Sequence, residues 1–72
     1  MNVVDSSGWL EYFAGSDASA FFAPAIEDVA ALIVPPITIL EVFKRVLQRR
    51  GENDAILAAA QMQLGHVAPL NA

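Results

Sequence analysis

Two carboxylates occupy positions at which the sequence could build a reactive site. Asp5 directly follows the apolar pair Val3-Val4, and Glu41 follows a second apolar run at residues 32–34 by seven positions. Carboxylate oxygens are ligands that Mg²⁺ and Mn²⁺ prefer, and such an ion can activate water against a phosphodiester. The pair therefore predicts a metal site, provided that the fold brings the two side chains together.

The elements that must position these carboxylates are two short strands. Residues 2–4 predict a buried strand because they are rich in β-branched side chains and end at polar residues. Residues 32–34 show no polar alternation, which is typical of a strand buried on both faces of a parallel sheet. Helical segments between the strands predict a βαβ unit. Functional groups gather outside the carboxyl ends of parallel strands, so we expect Asp5 and Glu41 to converge there.

Two helices are predicted between these strands. The first covers residues 6–13 and ends at Gly15, which suits a helix C-terminus. Residues 16–19 form a loop or the start of the second helix. That helix has Pro24 in its first turn and runs to about Ala30.

A helical hairpin is predicted after the second strand. Thr38 and Glu41 fit a capping box, with Thr38 as N-cap, and Gly51 suits a left-handed C-cap. The apolar stripe of this helix consists of Leu40, Phe43 and Leu47, widened by Ile39, Val42 and Val46. The next helix runs from Asp54 to about Leu64. Its predicted apolar face consists of Ile56, Leu57, Ala60 and Leu64, with Met62 to one side. Residues 66–70 then predict the start of a third strand.

Both carboxylates also have simple structural explanations. An acid between a strand and a helix is a good N-cap, and this role fits Asp5. Glu41 fits the capping box with Thr38, and Arg45 at i+4 is placed for an ion pair. The local pattern alone leaves these explanations and the metal site open.

The chain resembles PIN-domain proteins of the VapC toxin class. The similarity lies in "NVVDSSGWLEYF" and in "LIVPPITILEVFKRVLQRRGE". In that family a short first strand ends at an Asp followed by a small hydroxylated residue, and a second strand is followed by Ser or Thr, two residues and Glu-Val. Asp5 with Ser6 and Ser7 matches the first motif, and Thr38 with Glu41 matches the second.

The resemblance implies an α/β/α sandwich and a Mg²⁺- or Mn²⁺-dependent endoribonuclease. It makes Asp5 and Glu41 metal-binding catalytic residues, with Ser6, Ser7 and Thr38 in supporting roles. It also implies an RNA substrate, a cognate antitoxin protein as partner and a homo-oligomer. Metal-activated water would attack the scissile phosphate.

The chain departs from the family in its number of acids. Members have further essential Asp residues in a C-terminal half, whereas this sequence has no acid after Asp54. We therefore expect residues 1–72 to be the N-terminal half of a PIN-like domain, mostly helical and inactive by itself. The alternative is a self-associating interaction module, or remnant, that carries out no chemistry.

All positive side chains lie on one predicted helix: Lys44, Arg45, Arg49 and Arg50. They could contact RNA phosphates, or they could form a solvated helix end, where positive charge is favourable. Among the aromatic residues, Trp9 and Phe13 are predicted to lie in the core. For Phe21 and Phe22, a place in the core and a place in an interface are equally compatible with the sequence.

Composition narrows the remaining possibilities. The 72 residues are 56% hydrophobic with no cysteine, and the net charge is −4. A disulfide is therefore excluded, and the apolar content exceeds what so short a chain easily buries, which predicts an oligomer or part of a larger domain. The net negative charge argues against broad electrostatic binding of nucleic acid but leaves room for a local basic patch. No apolar run is long enough to span a membrane, and a cytoplasmic location is expected.

Overall fold

The described chain consists of residues 2–15, 17 and 19–67 of a computed structural model, and it folds into three strands and four helices. In chain order these are β1 (Asn2–Val3), α1 (Ser6–Ala14), α2 (Ser19–Glu27), β2 (Leu32–Val34), α3 (Pro36–Arg50), α4 (Glu52–Met62) and β3 (His66–Val67). The predicted α/β class is confirmed, with a mostly helical chain built around a parallel sheet.

The sheet has the order β1-β2-β3, and both neighbouring pairs are parallel. Asn2 pairs with Leu32 in the first ladder, and Val34 pairs with Val67 in the second. The predicted βαβ unit is therefore confirmed, with α1 and α2 both lying in the connection between β1 and β2. The third strand is also confirmed at residues 66–67, while the rest of its predicted range, residues 68–70, lies outside the described residues.

β1 is more exposed than the sequence predicted. Val3 exposes 60% of its surface, whereas Val4 is buried but follows the strand. The physical reason is position, since β1 lies at the edge of the described sheet and only β2 pairs with it. The predicted strand is therefore confirmed at residues 2–3, whereas the predicted burial holds only for Val4, which follows the strand.

The core combines residues from the sheet and all four helices. Its buried members are Val4, Trp9, Ile26, Leu32, Val34, Val42, Val46, Ala55, Ala58 and Met62. The core role predicted for Trp9 and Phe13 is confirmed: Trp9 is fully buried, and its ring stacks on that of half-buried Phe13 with centroids 5.7 Å apart. Phe21 is 78% exposed, whereas Phe22 packs against the core.

α1 begins and ends as the sequence predicts. Gly15 has φ 66° and a left-handed conformation, which favours glycine at a helix C-terminus. A second glycine, Gly8, allows close packing inside α1. A Cβ atom at Gly8 would lie 2.6 Å from Cγ1 of Val4 and 2.9 Å from Cε1 of Phe22, so this contact requires a residue without a side chain.

The predicted end of the second helix and the predicted place of Pro24 in its first turn are wrong. α2 begins at Ser19, which places Pro24 in its interior rather than in its first turn, and it ends at Glu27 rather than near Ala30. Phe22 and Ile26 lie four residues apart on the face that packs against the core. This packing favours a helix that continues through the proline despite the lost backbone hydrogen bond. Residues 16–19 were predicted to be a loop or the start of this helix. Residues 16 and 18 of that segment lie outside the described residues.

The capping box predicted for the third helix is wrong. The N-cap is Pro35, three residues before Thr38, and α3 begins at Pro36. The backbone N–H of Thr38 donates to the carbonyl oxygen of Pro35 at 3.0 Å. A proline suits the first helical position, because its φ is already helical and its missing N–H would have no partner there. Thr38 is consequently buried inside the helix rather than capping it.

The apolar face predicted for α3 is confirmed in part, whereas the face predicted for α4 is wrong. In α3, Val42 and Val46 are buried as predicted, and Ile39 and Phe43 pack against the core. Leu40 and Leu47 are instead 50% and 41% exposed. In α4 the buried residues are Ala55, Ala58 and Met62. The residues predicted to form its face are exposed instead: Ile56, Leu57, Ala60 and Leu64. α4 packs through its small side chains, which let its backbone approach α3 closely.

The predicted turn between α3 and α4 is confirmed at Gly51. Its backbone N–H donates to the carbonyl oxygen of Leu47, and its own carbonyl accepts from the N–H of Ala55. Its φ is 94° and its ψ is −178°, so the predicted left-handed C-cap conformation is wrong although φ is positive. Because ψ of Gly51 is extended, this single residue can serve as the C-cap of α3 and as the N-cap of α4. Within the described residues, no helix combines the length and apolar character that crossing a membrane requires.

Candidate active site

Asp5 lies between β1 and α1 and caps the helix. Its Oδ1 accepts a hydrogen bond from the backbone N–H of Gly8 at 2.9 Å and another from the Ser7 hydroxyl at 3.0 Å. The structural role that the sequence suggested is therefore confirmed. Within the described chain the other oxygen, Oδ2, accepts no hydrogen bond. The side chain is exposed, so one carboxylate oxygen remains open to solvent.

Glu41 lies in the second turn of α3 with an exposed side chain. β1 and β2 are adjacent and parallel, so the chain leaves both strands at the same edge of the sheet toward Asp5 and Glu41. The structural alternatives for Glu41 fail, because Thr38 does not cap the helix and no ion pair joins Glu41 to Arg45 among the described side chains.

A cleft of about 380 Å³ separates α1 from α3 and contains most of the predicted site. It is lined by Ser6, Ser7, Leu10, Glu41, Lys44, Arg45 and Gln48. The structure therefore brings Glu41 together with the two serines that follow Asp5. Asp5 does not line the cleft itself but lies next to Ser6 at its end, and Thr38 is buried one turn before Glu41.

Two residues of this cleft were missed by the sequence reasoning. Gln48 follows Glu41 by seven positions, which is two helical turns along the same face of α3. Leu10 belongs to α1, and its apolar side chain carries no group that would mark it as a site residue in the sequence. Lys44, Arg45 and Gln48 follow Glu41 by three, four and seven residues, and this helical spacing was the signal that could have identified Gln48.

The four basic residues do not form one surface. Lys44 and Arg45 line the cleft with Glu41, whereas Arg49 and Arg50 line a second groove of about 230 Å³. That groove lies between α1 and the α3–α4 hairpin. Its remaining lining residues are Leu10, Phe13, Ala14, Val46, Asp54, Leu57, Ala58 and Gln61. The structure thus divides a charge cluster that looks continuous in the sequence.

A polar contact that the sequence did not reveal joins three helices. The hydroxyl of Tyr12 in α1 donates to Oε2 of Glu27 in α2 at 2.9 Å, and Nε2 of Gln61 in α4 donates to the Tyr12 oxygen at 3.4 Å. The hydrogen bond to Glu27 is the main cause of a raised pKa at Tyr12, and partial burial adds to it.

The candidate metal ligands are of the type that a hard cation prefers, but two carboxylates are too few to form a complete site. Asp5 and Glu41 offer the oxygen donors that Mg²⁺ and Mn²⁺ prefer, and both side chains are exposed. Among the residues that the structure describes, however, no group of three or more His, Cys, Asp or Glu side chains could hold a metal ion. A complete site of this type therefore needs donors beyond these two carboxylates.

Comparison with known families decides the wider assignment. The family model described as PIN domain matches residues 3–71. This chain belongs to the PIN-domain family. PIN domains are generally nucleases and typically use divalent metal ions, and the α/β fold with its parallel sheet is consistent with that membership. No curated protein and no solved structure matches the chain significantly.

Proposed function

We propose that this PIN-domain chain contributes to RNA phosphodiester hydrolysis as part of a Mg²⁺- or Mn²⁺-dependent endoribonuclease toxin of the VapC class, acting in the cytoplasm. The observation that carries the proposal is the family match over residues 3–71, combined with the parallel pair of β1 and β2 that leads toward both Asp5 and Glu41. Each acid stands where the resembled family has a metal-binding carboxylate.

Asp5 and Glu41 are the proposed catalytic residues and would hold the metal ion. The Ser7 hydroxyl and the Gly8 amide fix Oδ1 of Asp5, which leaves Oδ2 for the ion. Glu41 presents its carboxylate to the cleft that Ser6 and Ser7 also line. Buried Thr38 anchors this turn of α3 in the core. A bound metal ion would supply an activated water and neutralise the charge that develops on the phosphate.

The number of carboxylates sets the expected activity. Because the described residues contain no third ligand beside Asp5 and Glu41, we propose that residues 1–72 form the N-terminal part of a PIN domain. Such a chain should bind metal weakly and cleave RNA inefficiently by itself. Acids from elsewhere, on the same polypeptide or on a partner, would complete the site.

The metal assignment is tested by Mn²⁺ titration calorimetry together with RNA cleavage at high protein concentration. We expect Asp5→Asn and Glu41→Gln each to weaken Mn²⁺ binding at least tenfold and to abolish residual cleavage. Glu52→Gln is the matched control, because Glu52 is exposed in the first turn of α4 and loses the same charge. Unchanged Mn²⁺ affinity in both site variants would contradict the assignment, as would an equal loss in the control.

A cognate antitoxin protein and a second copy of the chain are the proposed macromolecular partners. A specific observation favours self-association: α4 exposes apolar side chains, with Leu57 68% and Ile56 51% accessible. Exposed apolar surface of this kind is typical of interaction sites. A non-catalytic, self-associating module therefore remains the second candidate function.

Light scattering separates the two candidates when it is combined with the Mn²⁺ titration. The non-catalytic module predicts an oligomer that Leu57→Glu dissociates and that binds no Mn²⁺ specifically. The nuclease predicts Mn²⁺ binding that depends on Asp5 and Glu41, whatever the oligomeric state. A monomeric chain with no specific Mn²⁺ binding would contradict both.

A further inference from the structure

We infer that RNA lies in the cleft between α1 and α3, where Lys44, Arg45 and Gln48 bind its phosphates, and that Arg49 and Arg50 take no part in RNA binding. The inference rests on the proposed ribonuclease function and deepens it. The sequence treats the four basic residues as one possible RNA contact, whereas the structure divides them between two adjoining concave surfaces that share Leu10.

Helix geometry explains the first group. Lys44, Arg45 and Gln48 follow Glu41 by three, four and seven residues, which are the intervals that place side chains on one face of a helix. All four side chains line the cleft. Arg50 follows Glu41 by nine residues, which turns it about 180° away around the helix axis, whereas Arg49 lies about 80° away. Neither lines the cleft, and both line the adjoining groove. One face of α3 therefore presents two cations and a neutral amide beside the proposed metal ligand.

The chemistry of the cleft suits a phosphodiester chain. Lys44 and Arg45 together outweigh the single negative charge of Glu41, although the protein as a whole carries −4. The amide of Gln48 and the hydroxyl of Ser6 are neutral donors for phosphate oxygens or for the ribose 2′-hydroxyl. Glu41 at the same surface places any bound phosphate close to the proposed metal site, as hydrolysis requires.

The second groove has a different character. Arg49 and Arg50 share it with the carboxylate of Asp54, which offsets part of their charge, and with the apolar side chains of Phe13 and Leu57. Neither Glu41 nor any serine lines this second groove. A phosphate held there would therefore lie in a groove that neither Asp5 nor Glu41 lines.

Fluorescence anisotropy with a labelled single-stranded oligoribonucleotide in EDTA tests the inference without involving a bound metal. Two double variants lose the same charge: Lys44→Gln with Arg45→Gln, and Arg49→Gln with Arg50→Gln. We expect the first to raise Kd at least tenfold and to reduce the salt slope by about 1.4, since each phosphate contact to a single strand contributes about 0.7. The second should change Kd less than about threefold. Gln48→Ala should weaken binding severalfold with an unchanged salt slope.

Equal weakening by the two double variants would overturn the inference, because it would indicate a response to net charge alone. Absence of RNA binding by the unmodified protein would overturn it as well. Circular dichroism checks that each variant is folded, and Lys44→Arg should retain binding. Asp5→Asn distinguishes this inference from the proposed function. It should lose Mn²⁺ affinity, whereas in EDTA it should not weaken RNA binding, because it removes only a negative charge; either result can fail without the other.

Discussion

Oδ1 of Asp5 lies 2.9 Å from the backbone nitrogen of Gly8, so the residue proposed to bind metal also begins α1. The two roles use different atoms of one carboxylate, since Oδ1 accepts both local hydrogen bonds and Oδ2 accepts none within the described chain. The cap fixes the side chain at the end of β1 and thereby holds the free oxygen in place. Structural and catalytic explanations of Asp5 are therefore compatible.

Substitutions at Asp5 should separate these roles. Asparagine keeps an oxygen that can cap α1, so Asp5→Asn should change the free energy of unfolding by less than about 0.5 kcal/mol while removing Mn²⁺ binding. Asp5→Ala loses the cap as well and should cost about 1 kcal/mol. Urea unfolding and Mn²⁺ titration measure the two effects. Equal destabilisation by both variants would show that the charge, and not the cap, stabilises the helix.

Gly8→Ala should destabilise the protein by about 1–3 kcal/mol, the usual cost of overpacking. The new methyl group would lie 2.6 Å from Cγ1 of Val4 and 2.9 Å from Cε1 of Phe22, so α1 and α2 would have to move apart. Combining it with Val4→Ala should recover part of the loss, because the nearest clashing atom is then removed. Thermal unfolding of the two single variants and the double variant gives this coupling. Strict additivity would contradict the proposed contact.

The revised packing face of α4 gives a direct comparison. Met62 is fully buried, so Met62→Ala should cost about 2–5 kcal/mol through lost burial and a cavity. Leu57 is 68% exposed, so Leu57→Ala should change stability by less than about 0.5 kcal/mol. Chemical denaturation at one protein concentration measures both. A larger effect at Leu57 than at Met62 would favour the face that the sequence predicted.

The sequence allowed the parallel βαβ unit and the N-cap role of Asp5 to be predicted, because the signals there are local. Each apolar run ends abruptly, at Asp5 or at Pro35, and the interval between the runs suits a βαβ connection. Gly15 and Gly51 likewise marked helix ends through their backbone requirements. The approximate ends of these strands and helices follow from such local signals without knowledge of tertiary packing.

Helix faces could not be predicted in the same way. α4 carries one stripe of leucine and isoleucine and another of alanine with Met62, and hydrophobicity alone favours the first. The structure buries Ala55 and Ala58 because small side chains allow close approach to α3. The division of the basic residues between two surfaces depends on that same approach. The proline inside α2 was misplaced for a related reason, since contacts of Phe22 and Ile26 outweigh the local preference.

The contact between Tyr12 and Glu27 should make stability depend on alkaline pH. The hydrogen bond to Glu27 raises the pKa of Tyr12 above its ordinary value of 10.0, so the folded protein holds the phenolic proton more tightly than the unfolded chain. The resulting stabilisation is fully present below pH 10 and is lost as the pH rises through the raised pKa. Because the group is largely solvated, the effect should not exceed about 1 kcal/mol.

Tyr12→Phe isolates this effect, because it removes the phenolic proton and leaves the other titrating groups unchanged. Urea unfolding of both proteins at pH 8.5 and pH 11 gives the comparison. We expect the unmodified protein to be the more stable at pH 8.5 and this advantage to shrink or vanish at pH 11. Glu27→Gln should also reduce the alkaline loss, since a neutral amide does not repel the phenolate. Equal stability of the two proteins at pH 8.5 would show that Tyr12 stabilises the helices by packing alone. An undiminished advantage at pH 11 would show that the contribution of the hydroxyl does not depend on its proton.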